Sequence, residues 1–389
     1  MTRPSPPQEI RRGPPDGWLV AGVLGLCGVG LVMVYSASSV AAFERFGDAA
    51  FFLKRQLVWF ALGCGSMVLT SRLHYSVWRG LASPLLLASI ALVAAVLVPG
   101  VGQVAGGARR WITLGPLSFQ PVELGKFSLV LYLAHFLDNR QDRVRHLVRG
   151  LAPPLAFTAA LAGLLLRQPD MGSAAVLVGI TGVMLFCAGA RLLHLAGLTV
   201  VAVPVAAWAA LAEAYRRDRI LAFLDPWRDA QGSGFHVIQS LVAVASGGLW
   251  GVGLGQSRQK FFYLPERHTD FIFAILVEEL GLLGVALLVG LYAVFVARVY
   301  RVAFRAPDRY GALLAAGLGA WVAGQTVMNM GVATGMLPVT GVPLPFVSFG
   351  GSSLVVLMAA SGVCLNVSQY ARTPRRADTF ARLPFGSAG

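Results

Sequence analysis

The 389 residues are 56 % hydrophobic and 13 % charged, with a mean hydropathy of +0.67 and a formal charge of +14. An ordinary soluble domain carries about 25 % charged residues, so water is excluded as the main solvent. The basic residues are scattered through short loops and tails, with no basic helix, which excludes a nucleic-acid partner.

A spanning helix needs about 20 mostly apolar residues, because every backbone N–H and C=O must be satisfied inside lipid. Such runs recur from Trp18 to Gln369, and the chain reads as an all-α polytopic membrane protein. A polar head (1–17) rich in proline, with Arg11 and Arg12, is expected to be disordered. The first run, Trp18 to Val40, exceeds the 7–15 residues typical of a signal-peptide core and is read as a retained span. Further spans are expected over 51–70, 81–99, 122–138, 151–166, 172–189, 192–213, 270–299, 311–335 and 351–370, about ten helices in all. They form one membrane domain, 18–371, followed by a tail, 372–389.

An even number of spans puts both termini on one side. The connections with Arg140, Arg143, Arg145 and Arg149, then Arg301, Arg305 and Arg309, and the tail with Arg372, Arg375 and Arg376, fall on the side of Arg11 and Arg12. Cytoplasmic loops collect Lys and Arg, so that side is read as the cytoplasm. The outer face receives the loop 336–350, the loop 102–121 and a long excursion from Glu213 to Thr269. This excursion is basic, but segments near 60 residues translocate largely regardless of charge. Within it, 234–246 reads as a short amphipathic helix resting on the outer membrane surface. Cys27, Cys64, Cys187 and Cys364 sit in separate apolar runs, and their spacing suggests neither a disulfide framework nor a zinc site.

Ionisable groups in or beside spans are expensive to keep, and each is a candidate for function. Glu123 and Lys126 lie three residues apart, on one helix face, and can pair. A structural ion pair and a site role both remain open for them. In YLPERHTDFIFAILVEELG, Glu266, Arg267, His268, Thr269 and Asp270 sit at the mouth of a new span. Thr269 or Asp270 can cap that helix, whereas a carboxylate beside histidine and arginine at the lipid–water boundary has what general-base work on a hydroxyl needs. GARRW (Arg109, Arg110, Trp111), RQPD (Arg167, Gln168, Asp170) and GVPLPFVSFGGSS converge on the same face by topology. There Gly350 and Gly351 free the backbone while Ser352 and Ser353 start a helix, whose N–H groups can receive a phosphate or whose serine can simply cap it.

These segments, in this order, resemble the SEDS family (shape, elongation, division and sporulation), which contains FtsW and RodA. The resemblance runs from about Trp18 to Tyr370 and rests on GARRWITLG, FQPVELGK, QPDMGSA, LPERHTDFIFAILVEELG and NMGVATGMLPVTGVPLPFVSFGGSSL. YRRDRILAFLDPW and SRQKFFYLPE look more like the division-type FtsW branch than the elongation-type RodA branch. Departures from the family pattern are Val122, Met171 and Phe349, none of which removes an ionisable group.

The resemblance implies a peptidoglycan glycosyltransferase of the bacterial inner membrane that joins lipid II units into a glycan strand and releases undecaprenyl pyrophosphate. It implies partnership with a class B penicillin-binding protein, a transpeptidase, and with other divisome or elongasome proteins. Asp270 is carried over as catalytic; Glu123 and Lys126, Asp170, and Arg110 with Trp111 follow from their blocks. The substrate-binding set on this reading is Arg110, Trp111, Gln120, Glu123, Lys126, Gln168, Asp170, His268, Thr269, Ser348, Gly350, Gly351, Ser352 and Ser353. In inverting transfer, Asp270 takes the proton of the attacking hydroxyl, while Arg110 and Lys126 meet the charge growing on the leaving pyrophosphate. A divalent cation such as Mg²⁺ or Mn²⁺ suits that leaving group, although no dedicated metal cage is visible. The rival readings are a lipid II flippase, since intramembrane charges also mark transport paths, and a non-catalytic divisome scaffold.

Overall fold

The computed structural model describes residues 12–105, 108–115, 117–260 and 268–371. Each of the ten expected spans coincides with a helix: α1 (Gly17–Phe46), α2 (Phe51–Arg72), α3 (Val77–Ala95), α4 (Pro121–Asn139), α5 (Ala152–Arg167), α6 (Met171–Cys187), α7 (Leu192–Leu211), α10 (Ile272–Arg305), α11 (Arg309–Ala333) and α12 (Gly351–Gln369). Two shorter helices, α8 (Ala214–Leu224) and α9 (Phe235–Ser246), belong to the excursion between α7 and α10. Among the described residues, seven helices are long and apolar enough to cross a membrane. The helices at α2, α4 and α6 fall outside that group: α6 has 17 residues, while α2 and α4 carry charged side chains.

Small residues let the helices approach closely, the usual device where lipid removes the hydrophobic drive between helices. A Cβ on Gly362 of α12 would overlap Thr70 Oγ1 and the Met67 carbonyl of α2, and one on Gly351 would overlap the Trp59 ring. Across this contact Thr70 Oγ1 donates to Ala359 O at 2.9 Å and Ser66 Oγ to Val355 O at 3.1 Å. Helices α4, α11 and α12 are buried over most of their length and form the centre. By contrast α7 points most of its side chains outward, including Leu193, Val200 and Trp208.

Two expectations are corrected at the ends of the bundle. Residues 12–16 are not a loose tail: Gly13 N donates to Gln369 O at 2.7 Å, and Asp16 pairs with Arg298 at 2.6 Å while capping α1 through Leu19 N. Half-buried charges with partners hold the stretch in place, and they put the first and last helices' ends side by side. Residues 1–11 and 372–389 lie outside the described residues. Helix α9 turns Val237, Ile238 and Ala243 into protein, and Ser240 Oγ donates to Ala333 O at 2.7 Å, so its apolar face packs on α10 and α11. A helix that finds protein apolar surface need not rest on lipid.

The long connections are more ordered than the periodicity suggested. Between α3 and α4 a three-stranded antiparallel sheet forms from β1 (Gly102–Ala105), β2 (Ala108–Leu114) and β3 (Leu117–Phe119), with Gln103 opposite Trp111. In the excursion, buried Arg216 of α8 donates to Ala209 O (2.8 Å) and Leu166 O (2.6 Å), satisfying carbonyls at the ends of α7 and α5. The N–H and hydroxyl of Ser233 donate to Asp229 and hold that carboxyl below its ordinary value.

Helix α10 is broken at Gly281 (φ 62°, ψ −161°). The carbonyls of Glu278 and Glu279 accept instead from Val252 N (2.9 Å) and Gly253 N (3.0 Å), and Leu282 N and Leu283 N donate to Gly248 O and Leu249 O. The segment 247–253 thus satisfies the freed groups, as irregular backbone buried in a membrane protein requires.

Candidate active site

His268, Thr269 and Asp270 form the turn that enters α10, and Phe271 occupies its cap position, so neither Thr269 nor Asp270 is the helix cap. The turn is held through its backbone. The loop 342–349 supplies Phe349 N to His268 O at 2.9 Å and Ser348 Oγ to Thr269 O at 2.5 Å. Asn329 of α11 supplies Nδ2 to Asp270 O at 2.8 Å and also to Val342 O at 2.8 Å. The loop itself carries Phe346 at φ 65°, a costly conformation for a residue with a Cβ, and Tyr292 OH donates to the neighbouring Pro345 carbonyl.

With its peptide fixed, the half-buried Asp270 side chain looks toward Gly341. Its Oδ2 lies 3.4 Å, and Arg110 Nη1 3.7 Å, from where a Cβ on Gly341 would stand. The carboxylate and the guanidinium therefore share one small space that a side chain at position 341 would enter. Gly341 also has φ 72°, a second reason for glycine there.

Strand β2 delivers Arg110, and the turn between α5 and α6 orients it. Arg110 Nε donates to Gln168 O at 3.1 Å and Nη2 to Pro169 O. The side chains of that turn are consumed by structure: Gln168 Nε2 donates to Val93 O at 2.6 Å, and Asp170 caps α6 by accepting from Ser173 N at 3.0 Å. Both are buried, so the turn faces the site with carbonyls rather than with the amide and carboxylate. Trp111 stays half-buried on the sheet, and His268 packs between the rings of Phe52 (4.7 Å) and Phe349 (5.6 Å).

At the start of α12, Gly350 is the cap residue without a side-chain cap bond. Ser352 accordingly does not cap. Its hydroxyl donates to Ser118 O and accepts from Gln120 N, both at 3.2 Å, lashing β3 and the entry of α4 to α12. Ser353 is half-buried, and Gly351 is the close approach to Trp59 already described.

Glu123 and Lys126 do pair, at 2.8 Å, with 1 % and 0 % of their side chains exposed. Lys126 Nζ also donates to Gln325 Oε1 at 3.0 Å and lies 5.2 Å from the Trp321 ring centre. Enclosed in this way, Lys126 has no exposed surface to offer a pyrophosphate.

Gln325, Asn329, Glu278 and Glu279 were not singled out from the sequence. The first two carry the available signal, a Gln and an Asn four residues apart inside an apolar span. Glu278 and Glu279 are buried; Glu279 accepts from Ser36 Oγ at 2.5 Å and 2.7 Å, with Lys260 Nζ at 3.8 Å, while Glu278 accepts from Ser257 Oγ and Arg258 N. They clamp the segment before residue 261, while Pro265, Glu266 and Arg267 lie outside the described residues.

The molecule is thus a multi-pass helical membrane protein whose ordered loops at one end bring a carboxylate and an arginine together above a buried ion pair. The family model FTSW_RODA_SPOVE, described as "Cell cycle protein", matches residues 17–373, and the chain belongs to this family. It is 46 % identical over 350 residues to the "Probable peptidoglycan glycosyltransferase FtsW" of Trichlorobacter lovleyi, covering 90 % of this chain and 92 % of that one. It is 46 % identical over 358 residues to "Stage V sporulation protein E" of Bacillus subtilis, covering 92 % and 98 %. Among solved structures, a chain from "Structural coordination of polymerization and crosslinking by a peptidoglycan synthase complex" is similar at TM-score 0.75 and 39 % identity, over 91 % of this chain and 97 % of that one. Thermus thermophilus rod shape determining protein RodA is similar at TM-score 0.68 and 33 % identity, over 92 % and 98 %.

Proposed function

We propose that this chain is a peptidoglycan glycosyltransferase of the division-type FtsW branch, which polymerises lipid II on the outer face of the bacterial inner membrane with both termini in the cytoplasm. The observation that carries the reading is the Asp270 carboxylate facing the same small space as the Arg110 guanidinium, on a turn whose three carbonyls are all hydrogen-bonded. The name of the Trichlorobacter lovleyi relative, at 46 % identity, points to the same activity.

Asp270 accepts the proton of the acceptor's GlcNAc 4-hydroxyl as that oxygen forms its bond to C1 of the donor's MurNAc. The C1–pyrophosphate bond breaks with its electron pair leaving on undecaprenyl pyrophosphate, and the configuration at C1 inverts. The sugar is oxocarbenium-like in such a transfer, and Arg110 meets the negative charge that grows on the leaving group. Its two bonds to the 168–169 carbonyls preset the guanidinium, so little reorganisation is needed at the moment of reaction.

A pyrophosphate favours a divalent cation such as Mg²⁺ or Mn²⁺ bound through one or two carboxylates and its own oxygens. Among the described residues no group of three His, Cys, Asp or Glu side chains could hold an ion. Asp270 is the carboxylate we assign to share one carried by the substrate. The working partner on this reading is a class B penicillin-binding protein, the transpeptidase that would cross-link the strand as it emerges.

The test is purified chain with its transpeptidase partner, given labelled lipid II. Polymer from the parent, and at least a 100-fold loss in Asp270→Asn and Asp270→Ala with partner binding intact, is the expected result. Equal polymer from all three would remove Asp270 from the mechanism. Lipid II translocation without polymer would favour a flippase, and neither activity would favour a scaffold.

A further inference from the structure

Lys126 is too enclosed to touch a leaving pyrophosphate, yet it sits at the root of a continuous polar path to the catalytic turn. We propose that the Glu123–Lys126 pair acts on Asp270 through Gln325 and Asn329, which makes Lys126 and Gln325 positioning residues for the transfer. This inference rests on the reading of Asp270 as the base.

Trp321, Gln325 and Asn329 are spaced four apart on α11 and so share one helix face, which is buried against α4 and the loop 342–349. Gln325 Oε1 accepts from Lys126 Nζ at 3.0 Å and from Trp321 Nε1 at 2.9 Å. Two donors on one oxygen fix the orientation of the amide. Its Nε2 is thereby aimed at Pro343 O, 2.8 Å away. One turn farther out, Asn329 Nδ2 takes the carbonyls of Val342 and Asp270 together. The loop hung from these amides then holds the carbonyls of Thr269 and His268 through Ser348 and Phe349.

The path has a weak point at its base. Glu123 Oε2 is buried with no hydrogen-bond partner, so among the described residues Lys126 is the cation that compensates the charge of Glu123. Losing Lys126 strands that charge and frees Gln325 to turn away from Pro343. Asp270 would then be intact but misplaced, and small misplacements of a reacting group are expensive in rate. Groups that act as one unit also show strongly non-additive losses.

The experiment measures lipid II polymerisation by the full chain with its transpeptidase partner, together with the thermal midpoint, for Lys126→Met, Gln325→Leu, their combination, and the uncharged pair Glu123→Leu with Lys126→Met. The expected result is a 10- to 100-fold fall in kcat for each, a KM for lipid II within twofold of the parent, and a Lys126→Met/Gln325→Leu double variant no worse than its poorer single. The uncharged pair keeps the thermal midpoint and shows the same loss of kcat.

A KM raised tenfold or more with kcat preserved would make Lys126 a direct substrate contact and overturn the proposal. So would losses that multiply in the double variant, an uncharged pair with full activity, or an uncharged pair that no longer folds. Asp270→Asn assayed alongside separates the two claims. If it retains parental activity, the assignment of the base has failed; if it is inactive while the coupling pattern is absent, only the positioning path has failed.

Discussion

Ser36 on α1 donates its hydroxyl to both carboxylate oxygens of Glu279 on α10, at 2.7 Å and 2.5 Å, in a place where neither residue meets solvent. The contact sits immediately before the break at Gly281, where Gly251 packs against the Glu279 carbonyl. Sequence positions 243 apart therefore meet at the point where α10 departs from helical geometry.

Glu279→Ala removes the carboxylate 3.8 Å from the buried Lys260 Nζ and the acceptor of the Ser36 hydroxyl. Breaking a buried pair by removing one partner costs about 3–5 kcal/mol, so the variant should unfold at a clearly lower temperature in detergent. Glu279→Gln keeps the acceptor for Ser36 and should lose less. Equal midpoints for parent and Glu279→Ala would show that the clamp on 255–260 contributes nothing.

Ser348→Ala removes the donor to Thr269 O and the acceptor for Leu344 N. A buried polar group left unsatisfied costs about 1–3 kcal/mol, and here the cost falls on the turn that carries Asp270. Polymerisation should fall about tenfold or more, an energy of about 1.4 kcal/mol, with partner binding retained. Unchanged kcat would show that Asn329 and Phe349 suffice.

Arg110→Lys keeps the charge but loses the planar fork that binds two carbonyls at once, and such exchanges are not conservative. Activity should drop at least tenfold with an increased KM for lipid II, read from initial rates over a range of substrate. Parental kinetics would show that only the charge of Arg110 matters.

Gly362→Leu would drive a side chain into Thr70 and Met67 at the α2–α12 contact. Overpacking costs about 1–3 kcal/mol, which should appear as a lower midpoint and lower yield. Gly28→Leu, on open space, is the control and should behave as the parent.

Tyr75, in the short connection between α2 and α3, has its pKa pushed up to about 12 by burial, with the Asp308 carboxylate adding to the shift. A folded pKa above the ordinary 10 means that the folded chain holds this proton more tightly. Its contribution is complete below pH 10 and is lost as pH rises toward 12. Thermal midpoints between pH 9 and pH 12 should decline less in Tyr75→Phe than in the parent, after allowing for the other tyrosines.

The order of the helices was legible because a spanning helix must be apolar over its whole length, a signal carried by composition alone. Asp270, Arg110 and the Glu123–Lys126 pair were legible because charge beside an apolar run is rare. Helix α8 and the sheet over 102–119 were not, since short segments of mixed polarity satisfy several templates equally well. The capping roles read for Ser352 and Thr269 are not filled by any side chain: Gly350 and Phe271 stand at the cap positions without a cap bond, and the Ser352 hydroxyl goes to Ser118 O instead.

The amino-acid order by itself determined a membrane-embedded all-helical body, the family to which it belongs and the carboxylate most worth testing. Only the tertiary structure decided that Lys126 is sealed among Glu123, Gln325 and Trp321, that Gln168 and Asp170 serve the turn beneath Arg110, and that Asn329 grips the peptide of Asp270. The reason is that a buried polar atom must find a partner, and which partner it finds depends on helices that are neighbours in space and strangers in sequence.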